Sequence, residues 1–105
     1  MDAFAAAIDA LFADPNIARD ARWRPGGVGA GTVVRIITKR PDQTANFGDS
    51  RVMMPTMLID VCRAEIPAPA SGDTVEMDSE TFEIIATPVI DSLRLVWTCE
   101  AAAPV

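Results

Sequence analysis

The chain has 105 residues, of which 50% are hydrophobic and 23% charged, and its net charge is −6. This composition excludes a disordered chain and, with the length, predicts one folded domain over residues 1–105. The few lysines and arginines exclude a dedicated nucleic-acid binder, because binding to phosphates depends on these cations. Histidine is absent, which excludes a Ser-His-Asp or Cys-His site, and we expect no enzyme.

The chain also lacks the features of a membrane or secreted protein. No apolar run approaches the roughly 18 residues that a membrane helix needs. The start of the sequence, Met1-Asp2-Ala3, lacks the basic residues of a secretory signal. We therefore expect no membrane association and a location in the cytoplasm.

An amphipathic helix is predicted over residues 2–14. Phe4, Ile8, Leu11 and Phe12 recur at intervals of three and four, and the residues between them are mostly alanine, the best helix former. Pro15 disfavours helical geometry at the preceding residue, so the helix should end there. We expect its apolar stripe to cover one open end or face of a sheet.

A possible edge strand at residues 21–24 leads into the glycine-rich segment 26–31. Three glycines at alternate positions, 27, 29 and 31, invite comparison with a dinucleotide-binding loop. That motif needs a buried strand before it and a helix after it, whereas a strand is predicted to follow here. A hairpin loop fits better, since glycine permits the positive φ angles of such turns.

A strand rich in β-branched residues is predicted at 32–38, followed by a long polar loop at 40–51. Loops of this length in a small domain are often functional or mobile. The sequence leaves open a disordered surface hairpin or a contact arm whose anchor is Phe47. The candidate contact residues are Asp42, Asn46, Phe47, Asp49 and Arg51.

The next strand is predicted from about Thr56, with Met57, Ile59 and Val61 on one face. The other face carries Leu58 beside a carboxylate, which suggests partial cover by a neighbouring subunit. Cys62 and Cys99 both fall in predicted strands. They are either two buried free thiols or a disulfide between strands.

The last part of the chain alternates apolar and polar residues in three short segments, at 74–77, 82–86 and 93–97. This is the period of strands with one buried face, and turn-forming residues separate them. We therefore predict a β meander over residues 32–100 and a frayed tail at 101–105. The predicted core comprises Phe4, Ile8, Leu11, Phe12, Val34, Ile36, Ile59, Val61, Val75, Met77, Phe82, Ile84, Leu93, Leu95 and Trp97.

Carboxylates cluster between residues 73 and 83, but they fall on turns and on outward strand positions. A solvated charged edge is therefore favoured over a catalytic pair, which needs two carboxylates held across a cleft. Two cysteines without histidine do not make a zinc site, and the calcium-loop pattern is missing. We expect no catalytic, metal or cofactor site.

The order of these segments resembles the lambda-like head-tail joining, or head-tail attachment, proteins of long-tailed phages. The resemblance rests on the Phe4-to-Phe12 helix, the strand at 57–61, the Gly72-Asp73 turn, the segments at 75–78 and 82–84, and Asp91 followed by the segment at 93–97. The segment 26–31 does not belong to the pattern. The resemblance implies a mainly β fold, a small antiparallel β-barrel or sandwich with an N-terminal α-helix packed on it.

By function, the resemblance implies a structural protein of a virion, a prophage or a gene transfer agent. Such proteins form a ring, commonly of six copies, between the portal or adaptor of the head and the tail terminator or tail tube. The ring retains DNA, which passes through without specific binding, and docks the tail. Two alternatives remain open, namely a tail terminator ring and an unrelated small β-barrel binding module.

Overall fold

The computed structural model describes residues 3–39 and 56–103, which form one helix and seven strands. The predicted contact loop at 40–51 therefore lies outside the described residues. The elements are α1 (Ala3–Ala13), β1 (Arg19–Arg24), a 3₁₀ turn (Pro25–Gly27), β2 (Thr32–Lys39), β3 (Thr56–Cys62), β4 (Thr74–Met77), β5 (Glu80–Ile84), β6 (Val89–Ile90) and β7 (Val96–Ala102).

Six of the strands close into an antiparallel barrel in the order β3-β2-β1-β4-β5-β7, with β7 pairing back onto β3. The closing pair is the longest, running from Thr56 opposite Ala102 to Cys62 opposite Val96. The short strand β6 pairs with β7 on the same side as β5. The predicted fold class, mainly β with a small antiparallel barrel and an N-terminal helix, is confirmed.

Alternating side chains fill the interior of the barrel. Every barrel strand places its apolar residues inward at every second position, as the pleat of a strand requires. Small side chains, Ala21 on β1 and Cys99 and Ala101 on β7, share the interior with large ones. The buried cluster consists of Ala21, Trp23, Val34, Ile36, Met57, Ile59, Val61, Val75, Met77, Phe82, Ile84, Cys99 and Ala101.

Strand β1 is an interior strand of the barrel, so the expectation of an edge strand at residues 21–24 is wrong. It pairs with β2 on one side and with β4 on the other. Trp23, which the sequence did not place in the core, is fully buried. Ala21 and Trp23 alternate with Arg22 and Arg24 along the strand. Because the arginines point outward, Ala21 and Trp23 point into the barrel.

Helix α1 packs on the barrel mainly through its C-terminal end. Phe12 is its buried residue, and Arg35 on β2 donates from Nε to the Phe12 carbonyl oxygen at 2.9 Å. Phe4 is 62% exposed and Leu11 is 41% exposed, so their predicted burial is wrong. The helix covers too little of the barrel to bury the whole stripe. In the described ranges no helix is long and apolar enough to span a bilayer.

The end of the chain differs from the prediction in two ways. Residues 93–95 form a turn, in which the Asp91 carboxylate accepts from the Leu95 amide at 2.7 Å and from the Val96 amide at 3.2 Å. Leu93 is therefore 50% exposed rather than in the core. The strand then continues through Ala101 and Ala102, which are buried in the barrel and are not part of a frayed tail.

Candidate docking groove

A groove of about 550 Å³ lies between α1 and the end of the barrel where β3 finishes and β7 begins. Most of its lining is apolar, and three charged side chains stand around it. We call it the α1 groove, and its lining residues are Ala5, Ile8, Asp9, Cys62, Arg63, Ala64, Pro67, Arg94 and Leu95.

The floor and wall of the α1 groove are held by two turns. After β3, the amides of Glu65 and Ile66 both donate to the Cys62 carbonyl at 3.0 Å, which turns the chain away from the barrel. The Arg63 amide donates to the Leu95 carbonyl at 2.9 Å and joins this turn to the one before β7. The helix supplies the opposite wall through the middle of its apolar stripe.

Two cations of the α1 groove lack an acidic partner. The Arg63 guanidinium donates to the Arg94 carbonyl oxygen at 3.3 Å, and neither arginine forms an ion pair with a described carboxylate. Burial, with smaller effects from Glu65 and Asp9, raises the pKa of Cys62 to about 11, so its thiol is neutral. The groove thus offers apolar contact and two guanidinium groups that form no ion pair within the described residues, and guanidinium groups suit carboxylates.

A buried carboxylate fixes the turns where β1 ends and β4 begins. Asp73 accepts from Trp23 Nε1 at 3.0 Å, from the Gly26 amide at 2.9 Å and from the Ala70 amide at 3.0 Å. It is only 5% exposed, and its hydrogen bonds join β1, the 3₁₀ turn and the loop before β4. The Gly72-Asp73 turn of the sequence therefore has a structural role at this junction.

The family model of the phage head-tail attachment protein matches residues 1–101. The chain belongs to that family. No curated protein and no solved structure matches the chain.

As a head-tail attachment protein, the chain is a structural component of the virion that acts where head and tail meet. Its family is one of structural phage proteins that contact head and tail components, and not of known enzymes. Among the described residues, no group of three or more Cys, Asp or Glu side chains could hold a metal ion. The two cysteines are free and buried, so the disulfide alternative does not hold.

The predicted contact residues of this head-tail attachment protein are not among the residues that the structure describes. Asp42, Asn46, Phe47, Asp49 and Arg51 all lie outside the described residues. The α1 groove was not anticipated, although Ile8 and Leu95, both predicted as core, line it. Its two arginines gave no signal in the sequence, because the groove depends on how two distant turns meet.

Proposed function

We propose that this head-tail attachment protein forms a homo-oligomeric ring, with six copies as the expected number, between the portal or adaptor of the head and the tail. The ring closes the channel, retains the packaged DNA and docks the tail terminator or tail-tube protein. It assembles in the bacterial cytoplasm as part of the virion. Family membership supports the location, and the surface of the barrel supports the docking role.

The α1 groove is the observation that carries the docking role. The α1 groove is mostly apolar, and Phe4 and Leu11 are exposed on its helix. This surface suits the apolar side chains of a segment that inserts into the groove. Arg63 and Arg94 suit carboxylates on that segment, since they have no acidic partner within the described chain. The groove therefore fits an acidic and apolar segment of a head or tail component.

The retention of DNA rests on charge and on the polar loop at 40–51. With a net charge of −6, the chain repels DNA and does not immobilise it. We propose that Phe47 and the polar residues Asp42, Asn46, Asp49 and Arg51 project from the loop towards the lumen or the next ring. Particles with residues 43–49 deleted that retain DNA and carry tails would contradict this role.

The experiment is to supply variants in trans to cells whose own copy of this chain has been removed. Electron microscopy counts heads, tails and joined particles, and nuclease protection measures the DNA that heads retain. Without the chain, we expect unjoined tails and heads that lose DNA. Ile8→Asp places a charge in the apolar part of the α1 groove and should leave heads and tails unjoined.

Ala10→Asp is the matched control, since Ala10 is exposed on the same helix and does not line the groove. It should support normal joining. Joined, DNA-filled particles in cells without the chain would refute the proposed function. Heads that stay full beside tails of irregular length would instead indicate a tail terminator.

A further inference from the structure

Two outer faces of the barrel point away from each other. Going round the closed barrel, β3 separates β2 from β7 on one side, and β4 separates β1 from β5 on the other. The outward side chains of β1 and β2 therefore lie opposite those of β5 and β7. We call the first the arginine face, after Arg22 and Val33, and the second the glutamate face, after Glu83, Ile85 and Glu100.

The arginine face carries a cation with no acidic partner. Arg22 stands opposite Val33 in the β1–β2 register, and Val33 is 55% exposed. The Arg22 guanidinium donates to the Ala30 carbonyl at 3.0 Å but forms no ion pair with a described carboxylate. Arg24 and Arg35 on the same face are each paired with a carboxylate, so among the described residues of this face Arg22 is an arginine without an ion pair.

The glutamate face carries the complementary pattern. The Ile85 amide donates to the Glu100 carbonyl at 2.9 Å, so the two residues lie side by side, and Ile85 is 40% exposed. Glu83 lies two positions before Ile85 on the same face. Glu83 and Glu100 are exposed and form no ion pair with a described cation. Two such carboxylates close together repel each other unless a cation is supplied.

The two faces match in both charge and apolar character. Each has an exposed β-branched side chain beside unpaired charge, positive on one face and negative on the other. Contact between them would remove Val33 and Ile85 from water and give Arg22 a carboxylate partner. Because the faces lie on different sides of one copy, the contact joins different surfaces of two copies, which is the type of interface that builds rings.

We propose that the arginine face of one copy packs on the glutamate face of the next, so that Arg22 pairs with Glu100 or Glu83 of the neighbouring copy. The proposal rests on the ring of the proposed function and names the surfaces that build it. The occupant of each face is thus a second copy of this chain, and head and tail components contact the copies elsewhere.

Charge reversal tests the pairing. Arg22→Glu places like charges at every copy-to-copy contact, and so does Glu100→Arg. Each should weaken self-association in sedimentation equilibrium by about tenfold or more, because like charges at an interface are strongly unfavourable. The double variant restores opposite charges at each contact and should recover most of the loss. Glu80→Arg, which also reverses an exposed charge without an ion pair in the described chain but lies on the other side of β5 from Glu83, should leave self-association unchanged.

Cysteine cross-linking tests the same contact on purified protein and on joined particles. Val33→Cys with Ile85→Cys in one chain should give a ladder of disulfide-linked multimers under oxidation, while each single variant gives none. Val33→Cys with Leu93→Cys is the control, since Leu93 is similarly exposed but lies in the turn before β7. No ladder from the first pair on joined particles would overturn the proposal, as would folded double charge variants that stay defective.

The outcomes also separate this inference from the proposed function. A ladder that ends at one size is the result expected of a ring with this contact. A ladder that grows without limit would support the contact and refute the ring. The chain could prove to be required for joining heads to tails while neither charge reversal weakens self-association. In that case the arginine and glutamate faces are not the contact between copies, and the proposed function is unaffected.

Discussion

Replacing Asp73, a buried residue in the loop before β4, by alanine should strongly destabilise this protein. The change removes the acceptor of three hydrogen bonds, from Trp23 Nε1, the Gly26 amide and the Ala70 amide. Trp23 is fully buried, so its indole N–H would lose its partner where water does not reach it. Gly26 and Ala70 are exposed residues, so we expect water to replace the carboxylate at their amides.

The magnitude follows from these three donors. A buried donor without a partner costs roughly 1–3 kcal/mol, and each hydrogen bond that water replaces costs roughly 0.5–1.5 kcal/mol. Removing the buried carboxylate recovers part of its own desolvation cost. We therefore expect Asp73→Ala to lower the free energy of unfolding by about 3 kcal/mol, a large share of the roughly 5–15 kcal/mol of a domain.

Urea denaturation followed by circular dichroism measures this change. Asp20→Ala is the matched control, since Asp20 is an exposed carboxylate whose ion pair with Arg35 should contribute at most about 1 kcal/mol. A double-mutant cycle of Asp73→Ala with Trp23→Phe should give a coupling energy of about 1–2 kcal/mol. A loss below about 1 kcal/mol for Asp73→Ala would refute the role assigned to its hydrogen bonds.

Three further predictions concern single positions. Gly31→Ala should lower the free energy of unfolding by about 2 kcal/mol more than Gly29→Ala, as measured by denaturation. Both glycines have positive φ, but a Cβ at Gly31 would lie 2.8 Å from the Trp23 carbonyl oxygen, whereas a Cβ at Gly29 would meet nothing within 4 Å. Equal losses would contradict this. Trp97→Phe should cost less than about 1.5 kcal/mol, because the buried Trp97 Nε1 has no hydrogen-bond partner among the described residues. A larger loss would contradict this. Burial raises the pKa of Cys62 to about 11 and of Cys99 to about 12, so the unfolded thiols ionise first and stability should fall as pH rises above about 9. Denaturation at pH 8 and 10 checks this, and the fall should shrink when either cysteine is replaced by alanine.

Alternation of residues predicted most of the barrel strands, because a pleated strand imposes its period on the sequence directly. Val75 and Met77 on β4, like Phe82 and Ile84 on β5, were expected in the core and are buried there. Trp23 was missed because arginines flank it and only two inward positions, Ala21 and Trp23, mark the strand. Its burial depends on pairing with β4, some fifty residues later in the chain.

The sequence could not predict how distant segments meet. Leu93 follows the alternation of a strand, but the Asp91 carboxylate captures the amides that follow and holds the segment as a turn. The closing pair β3–β7 and the α1 groove likewise depend on contacts between residues far apart in the chain. The two opposite faces became visible only when the order of strands round the barrel was known.

Closure of the barrel has a consequence for copies that have not yet assembled. Each of the six barrel strands in the described chain is hydrogen-bonded to a strand on both sides, and β6, with two residues, is too short to template another sheet. Unpaired strand edges are what allow folded chains to add to one another in unlimited stacks. A copy that has not yet assembled is therefore protected from edge-to-edge aggregation through its described strands, and contacts on the barrel surface depend on outward side chains.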